Sequence, residues 1–276
     1  MLENEVGGIS VRYSNLHNHS DFSDGKHSLE ENVRSAIEKN MLSLGFSDHS
    51  FTACDPSYCM KLEQYDAYLK EIARLKEAYR EQIPLFAGLE LDYYSQVDPS
   101  AFDYLLASVH YIIRDGVCYP IDHSPQQQLD CIRDAFRGSV LDMAKCYYDM
   151  LTEHVEKTRP AVVGHFDVIT KFSLMPEEDE KYQTIAADAL KEILKYCPYV
   201  EMNTGAIARG WRKVPYLNAQ LLNVMKQNGG EVVLGSDSHH RDNVIFYFDQ
   251  CVEILKANQI DHISVFNGKD FDKVAI

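Results

Sequence analysis

Two histidines stand two residues apart near the start of the chain, in Asn15-Leu16-His17-Asn18-His19-Ser20-Asp21-Phe22-Ser23-Asp24-Gly25. If the run up to His19 ends a β-strand, alternation puts both imidazoles on one face, near enough to hold a single cation. Asp21 and Asp24 follow in a polar turn that Gly25 closes, and they add carboxylates to the same rim. Taken alone, a His-x-His pair is as consistent with a solvated polar loop as with a metal site. The rest of the chain shifts that balance. Asp48 and His49, Glu90 and Asp92, His110, His165, Glu201 and Asn203, and Asp237 with His239 each follow or end a short apolar run. Imidazoles and carboxylates without a cysteine among them suit zinc, manganese or iron rather than a Cys-rich structural zinc site. Eight or nine such groups are too many for one tetrahedral ion and point to two or three metals, with a carboxylate such as Glu90 bridging a pair. Clustered metals of that kind clamp a phosphoryl group and generate hydroxide at neutral pH. An amidohydrolase would use similar equipment.

Convergence of these groups requires a particular frame. Apolar runs at 15–19, 42–47, 84–91, 104–110, 161–165, 199–202 and 231–235 read as strands. Amphipathic segments at 29–39, 62–82, 141–157, 182–196, 218–228 and 248–258 read as helices, and Asn228-Gly229-Gly230 stops one of them before a strand. Repeated strand-then-helix order implies a parallel sheet with helices outside. Seven strands without a mid-chain linker favour a closed or nearly closed barrel over an open doubly wound sheet. Neither G-x-G-x-x-G nor G-x-x-x-x-G-K-[ST] occurs, which removes the usual reason to expect a nucleotide-binding open sheet. In such a barrel the C-terminal strand ends, each of which finishes with a ligand-type side chain, converge on the face where active sites are built. The segment 112–138 breaks the rhythm with Asp115-Gly116, Ser124-Pro125 and a glutamine run. It reads as a long loop with a short helix, a lid or specificity insertion in an otherwise single domain over 1–276. The other long loops are 51–60 and 206–215.

Composition narrows the partners. Forty-two acids against 27 bases give a net charge of −15, which argues against nonspecific nucleic-acid or anionic-membrane binding and mildly favours a substrate with cationic groups. Seven scattered cysteines with no C-x-x-C pair read as reduced thiols in a reducing compartment. Residues 1–14 contain no apolar signal-peptide core, and no apolar run reaches the roughly 18 residues of a membrane span. These observations together predict a cytoplasmic enzyme.

The His-x-His opening, Asp48-His49, Gly88-Leu89-Glu90, Ser108-Val109-His110, Gly164-His165 and Gly235-Ser236-Asp237-Ser238-His239 resemble, in order, the successive motifs of the PHP (polymerase and histidinol phosphatase) superfamily. They extend from residue 15 to 240. Within it, the opening, the stretch 164–172 and Glu201-Met202-Asn203-Thr204-Gly205 are most similar to the stand-alone histidinol-phosphate phosphatases. The resemblance implies a distorted, TIM-like (β/α)7 barrel and three divalent metal ions, zinc, manganese or iron. On that pattern one metal takes His17, His19, Glu90 and Asp237. A second shares Glu90 and takes His110 and His165; a third takes Asp24, His49 and His239, with Asp21 as competitor to Asp24. The implied reaction is hydrolysis of a phosphate monoester, L-histidinol phosphate, by metal-activated hydroxide attacking phosphorus in line.

Other residues would support that reaction. Arg209 is the first choice to grip phosphate oxygens, ahead of Lys171 and Arg212, although Arg212 and Lys213 also fit a solvated loop. Asp237 or His239 would protonate the leaving alkoxide. His240 and Asn203 are candidate substrate contacts. Glu201 and Asn203 would orient ligands or meet the substrate's amino group, and Asp48 would hold a ligand imidazole or cap a turn. His27, His154 and His262 read as surface residues, and His123 as surface rather than substrate contact. The rival readings are a nucleotide or phosphodiester esterase of the same superfamily and a catalytically silent metal module. No basic groove with interleaved aromatics supports a polynucleotide substrate. A silent module should have lost ligands, and no expected position is missing. The expected partner is a small-molecule phosphate ester, handled by a monomer or homodimer.

Overall fold

The computed structural model describes residues 11–276. Residues 1–10, most of the segment read as lacking an export signal, lie outside the described residues. The first half of the chain runs β1 (Ser14–Asn15), α1 (Leu29–Glu38), β2 (Ser43–Phe46), α2 (Tyr65–Ala78), β3 (Leu85–Asp92) and β4 (Tyr104–Ser108). A hairpin of β5 (Tyr111–Arg114) and β6 (Val117–Pro120) and a short α3 (Pro125–Asp130) come next. The second half runs α4 (Val140–Thr158), β7 (Val162–Val163), α5 (Glu180–Ile193), β8 (Tyr199–Asn203), α6 (Gly205–Ala208), α7 (Ala219–Gln227), β9 (Glu231–Gly235) and α8 (Phe248–Ala257). The chain ends in a second hairpin, β10 (His262–Phe266) and β11 (Phe271–Ala275).

Strands β1-β2-β3-β4-β7-β8-β9 form one sheet in that order, every neighbouring pair parallel. The two edges meet through a single parallel bridge, Asn18 opposite Ser238. There the His19 N–H donates to the Ser238 carbonyl at 2.8 Å. The result is the distorted seven-stranded barrel expected from the strand-helix rhythm, and each of the seven predicted runs overlaps a strand of it. Strand β3 is buried along its whole length, as a parallel strand covered on both faces must be. Helix α1 buries Leu29, Val33 and Ala36 on one face, and a capping box of Ser28 and Glu31 fixes its start. At the N-terminal end of the barrel, Leu16, Leu106, Val162, Val233 and Tyr104 pack with Phe266 of the terminal hairpin. That plug leaves the opposite end for the site. Among the described residues no helix is long and apolar enough to cross a membrane.

The structure corrects two expectations. The segment 112–138 is more ordered than a loop with a short helix, because Asp115 and Gly116 both adopt positive φ, 50° and 78°. Asp-Gly in that conformation is the favoured two-residue hairpin turn. The cysteines are also not all free thiols: Cys54 and Cys118 form a disulfide across a sequence separation of 64. Folding the β5–β6 hairpin onto the 51–60 loop brings their Cα atoms to 5.9 Å, a proximity that spacing along the chain does not reveal. The other five cysteines are free, and cysteine usage no longer argues for a reducing compartment.

Candidate active site

The strand ends deliver their side chains to one buried carboxylate. Glu90, on the fully buried β3, has His49 Nδ1 at 2.8 Å, His17 Nε2 at 3.4 Å and His19 Nε2 at 3.5 Å from Oε2. Its other oxygen, Oε1, has His165 Nε2 at 2.9 Å and His110 Nε2 at 3.2 Å. Asp237 and Asp24 flank this centre. Asp237 Oδ1 lies 3.2 Å from His19 Nε2 and 3.5 Å from His239 Nδ1, and Asp24 Oδ1 lies 3.1 Å from His239 Nε2 and 3.7 Å from His49 Nε2. Asp21 is exposed and outside the cluster, so of the two competing aspartates the structure brings in Asp24.

The donor set fits divalent metal. His17 Nε2, both ring nitrogens of His19, Glu90 Oε2 and His165 Nδ1 are buried without a hydrogen-bond partner. Buried polar atoms left unpaired are costly, and a coordinated cation satisfies several of them together. The atoms close into four overlapping groups: His19, Asp24, His49 and His239; His17, His165 and Asp237; His17, His19 and Glu90; and His49, Glu90 and His110. This differs from the expected division at three places. His19 also joins Asp24, His49 and His239. His49 belongs with Glu90 and His110 as well as with Asp24, and His165 falls with His17 and Asp237 although it also touches Glu90.

Electrostatics tie the cluster together. Burial opposes charge on Glu90, but His49, His17 and His110 outweigh it and hold the carboxyl well below its usual range. His17 is held well above the usual imidazole value, against burial, by Glu201, Glu90 and Asp237. His19 goes the other way, to about 3, through burial and the neighbouring His239 and His49. Asp237 is held well below its usual value, against burial, by Arg209 and His17. It also sits at φ 47°, a left-handed backbone that non-glycine residues adopt mainly where surrounding structure imposes it, often at functional sites.

A second layer of buried polar residues aims the imidazoles. Glu201 accepts from the His17 ring Nδ1 and the His165 backbone N–H, each at 2.8 Å, and from Asn203 Nδ2 at 2.8 Å. Gly235 on the adjacent strand makes room for it, since a Cβ there would lie 1.6 Å from Glu201 Oε1. Asp92 Oδ2 lies 3.2 Å from His110 Nδ1 and accepts the same residue's backbone N–H at 3.0 Å. Asp48 takes the turn-capping role instead of holding an imidazole, accepting from the Ser20 backbone and hydroxyl and from the Ser23 hydroxyl. Asn203 does not reach the substrate side. Its oxygen accepts the Gly205 N–H and its amide serves Glu201, so both ends are spent beneath the cluster.

Above the metal-type floor opens a cavity of about 710 Å³. Arg209, Lys171 and His240 line it, as expected of residues meeting a substrate. Arg209 pairs with Asp237 and approaches His239 Nδ1 to 3.3 Å. Lys171 is partly committed, donating to the Asp122 carbonyl at 2.6 Å and to its Oδ2 at 3.1 Å. Arg212 turns away from the cavity to Thr170 and Glu177. Three further lining residues, Tyr58, Asp122 and His123, come from the 51–60 loop and the insertion. Only His123 drew notice in the sequence, and there as a surface residue; loops following barrel strands were the available signal. His154 is not a surface residue: it is buried, with its Nε2 2.8 Å from the Leu91 carbonyl. His27 is not a plain surface residue either, since it packs edge-on against His240 with its Nε2 buried, while His262 pairs with Glu231; neither belongs to the ligand-type clusters.

Known proteins share this architecture and these motifs. The PHP domain family matches residues 15–205, all but the last of the motifs. The chain is 27% identical over 262 residues to a Schizosaccharomyces pombe protein named "Probable histidinol-phosphatase", covering 81% of each chain. It is 24% identical to the histidinol-phosphatase of Bacillus subtilis, covering 82% of this chain and 92% of that one. A solved structure of histidinol phosphate phosphatase from Lactococcus lactis, complexed with zinc, L-histidinol and phosphate, superposes with a TM-score of 0.72 at 20% identity, over 96% of this chain and all of that one. The chain belongs to the PHP domain family.

Proposed function

We propose that this protein hydrolyses a phosphate monoester, L-histidinol phosphate, to L-histidinol and inorganic phosphate, with three divalent ions of zinc, manganese or iron. The observation that carries the reading is the convergence of five imidazoles on the two oxygens of Glu90, with Asp237, Asp24 and His239 alongside, at the floor of an open cavity. The relatives named histidinol-phosphatase supply the substrate. The residues assigned to the ions are His17, His19, Asp24, His49, Glu90, His110, His165, Asp237 and His239. Ions bound there supply Lewis acidity to phosphate oxygens and a nucleophile available at neutral pH.

The protein's own groups do the rest. Arg209 presents a guanidinium to the cavity beside Asp237 and holds non-bridging oxygens as negative charge develops on them. Glu201 and Asp92 keep the imidazoles of His17 and His110 aimed at the centre, so little reorganisation accompanies the reaction. Asp237 and His239 both line the cavity, where either would deliver a proton to the leaving alkoxide through water. The test is phosphate release by enzyme loaded with manganese or zinc, on L-histidinol phosphate beside sugar phosphates, nucleotides and bis-p-nitrophenyl phosphate. A kcat/KM above about 10⁴ M⁻¹s⁻¹ on histidinol phosphate, far above the panel, is expected. A better rate on a nucleotide or diester would replace the substrate and keep the metal chemistry.

A further inference from the structure

The wall facing Arg209 has a chemistry that phosphate handling does not use. Asp122, two residues beyond β6, lines the cavity, and its side chain is only 14% exposed. One carboxylate oxygen, Oδ2, pairs with Lys171 at 3.1 Å. The other, Oδ1, is buried with no hydrogen-bond partner. Burial opposes its charge, but Lys171 and the imidazoles of His110, His123 and His165 outweigh it and keep the carboxylate ionised. A second unpartnered oxygen, Tyr58 Oη, is buried in the same wall, its ring 5.4 Å from that of His123 and 4.7 Å from that of His49. Tyr58 and Asp122 come from different loops, and the Cys54–Cys118 disulfide clamps those loops four residues from each of them.

An ionised, nearly buried carboxylate oxygen without a donor is expensive unless something completes it. Phosphate cannot, since like charge repels it. A cation can, and an ammonium borne by the same molecule whose phosphate sits on the floor is the cation that the proposed reaction itself brings to this wall. We infer that Asp122, flanked by Tyr58, is the specificity-determining residue that receives the substrate's ammonium group, so that the cavity selects phosphate esters of amino alcohols from other monoesters. The inference rests on the phosphomonoesterase function proposed above and deepens it. The Asp122 carboxylate accepts from the ammonium while Oδ2 keeps Lys171, and Tyr58 flanks the amine. The acidic balance of the chain agrees in sign, because it favours cationic substrates.

The experiment compares L-histidinol phosphate with imidazolylpropyl phosphate, the same ester without the amino group, on metal-loaded wild-type enzyme and on Asp122→Asn. The wild type should prefer the amino ester by roughly 100-fold in kcat/KM, as sites built around a buried polar group reject the analogue that leaves it unpaired. Asp122→Asn keeps the side chain's shape and an oxygen for Lys171, and it should collapse that preference to within a few-fold by losing rate on the amino ester alone. An equal loss on both esters would make Asp122 merely Lys171's partner and overturn the inference. Thermal melting shows whether the variant folds; if it does not, the wild-type ratio still decides, because a wild type indifferent to the amino group overturns the inference alone. Failure to hydrolyse either ester would sink the proposed function, and this inference with it.

Discussion

The floor and the wall of the cavity are built by different means. The floor takes its groups from strand ends, most of them buried, and two of its imidazoles are aimed by a second buried residue, His17 by Glu201 and His110 by Asp92, while Asp48 ties down the 20–24 turn. The wall takes Tyr58, Asp122 and His123 from two loops outside the barrel, and a disulfide does the work that strand pairing does below. On the proposed function the floor's residues serve any phosphate ester, because they address phosphorus, and on the inference above the wall's residues address whatever the phosphate is attached to. One fold can therefore keep its reaction while its selectivity changes with the loops.

Three measurements bear on that division. The largest effect belongs to the floor: His17→Ala or Asp237→Ala should lower kcat at least about 1,000-fold with an unchanged fold by circular dichroism. Near-normal turnover in either variant would remove that residue from the centre. A smaller loss is expected one layer down. Glu201→Gln leaves the His17 ring without its anionic partner and should weaken metal affinity by about 10–100-fold, read by competition with a chelator. Added metal should restore most of the turnover, and a kcat loss that excess metal does not relieve would show that Glu201 does more than aim His17. The smallest effect belongs to the wall. Cys54→Ser should raise KM several-fold on histidinol phosphate while leaving kcat and metal content alone, and should cost about 2–4 kcal/mol of stability for a bridge closing a long loop. A changed metal content in that variant would mean that floor and wall are not separable.

The two regions also differed in how far they could be read beforehand. All seven barrel strands and nearly all of the floor were visible in the chain, because a parallel strand buried on both faces is a continuous apolar run and a ligand at its end stands out against it. Glu201 was visible only as a choice between two roles, and its hydrogen bonds to His17 and His165 settled that choice. Asn203 was open between the same two roles, because a polar residue at a strand end looks the same whether it faces substrate or a neighbouring carboxylate, and here it serves Glu201. His154 was misplaced because one helical face against another cannot be told apart by a single imidazole, and here the face packs toward β3.

The amino-acid sequence by itself determined the barrel, its working end and the chemistry of the floor, since those follow from local periodicity and from which residue types end each strand. Only the tertiary structure decided how the ligand-type side chains group into clusters, the Cys54–Cys118 bridge and the presence of Tyr58 and Asp122 at the cavity. Each of these is a contact between segments tens of residues apart. Such contacts depend on how loops fold back over the barrel mouth, and no spacing along the chain encodes that path.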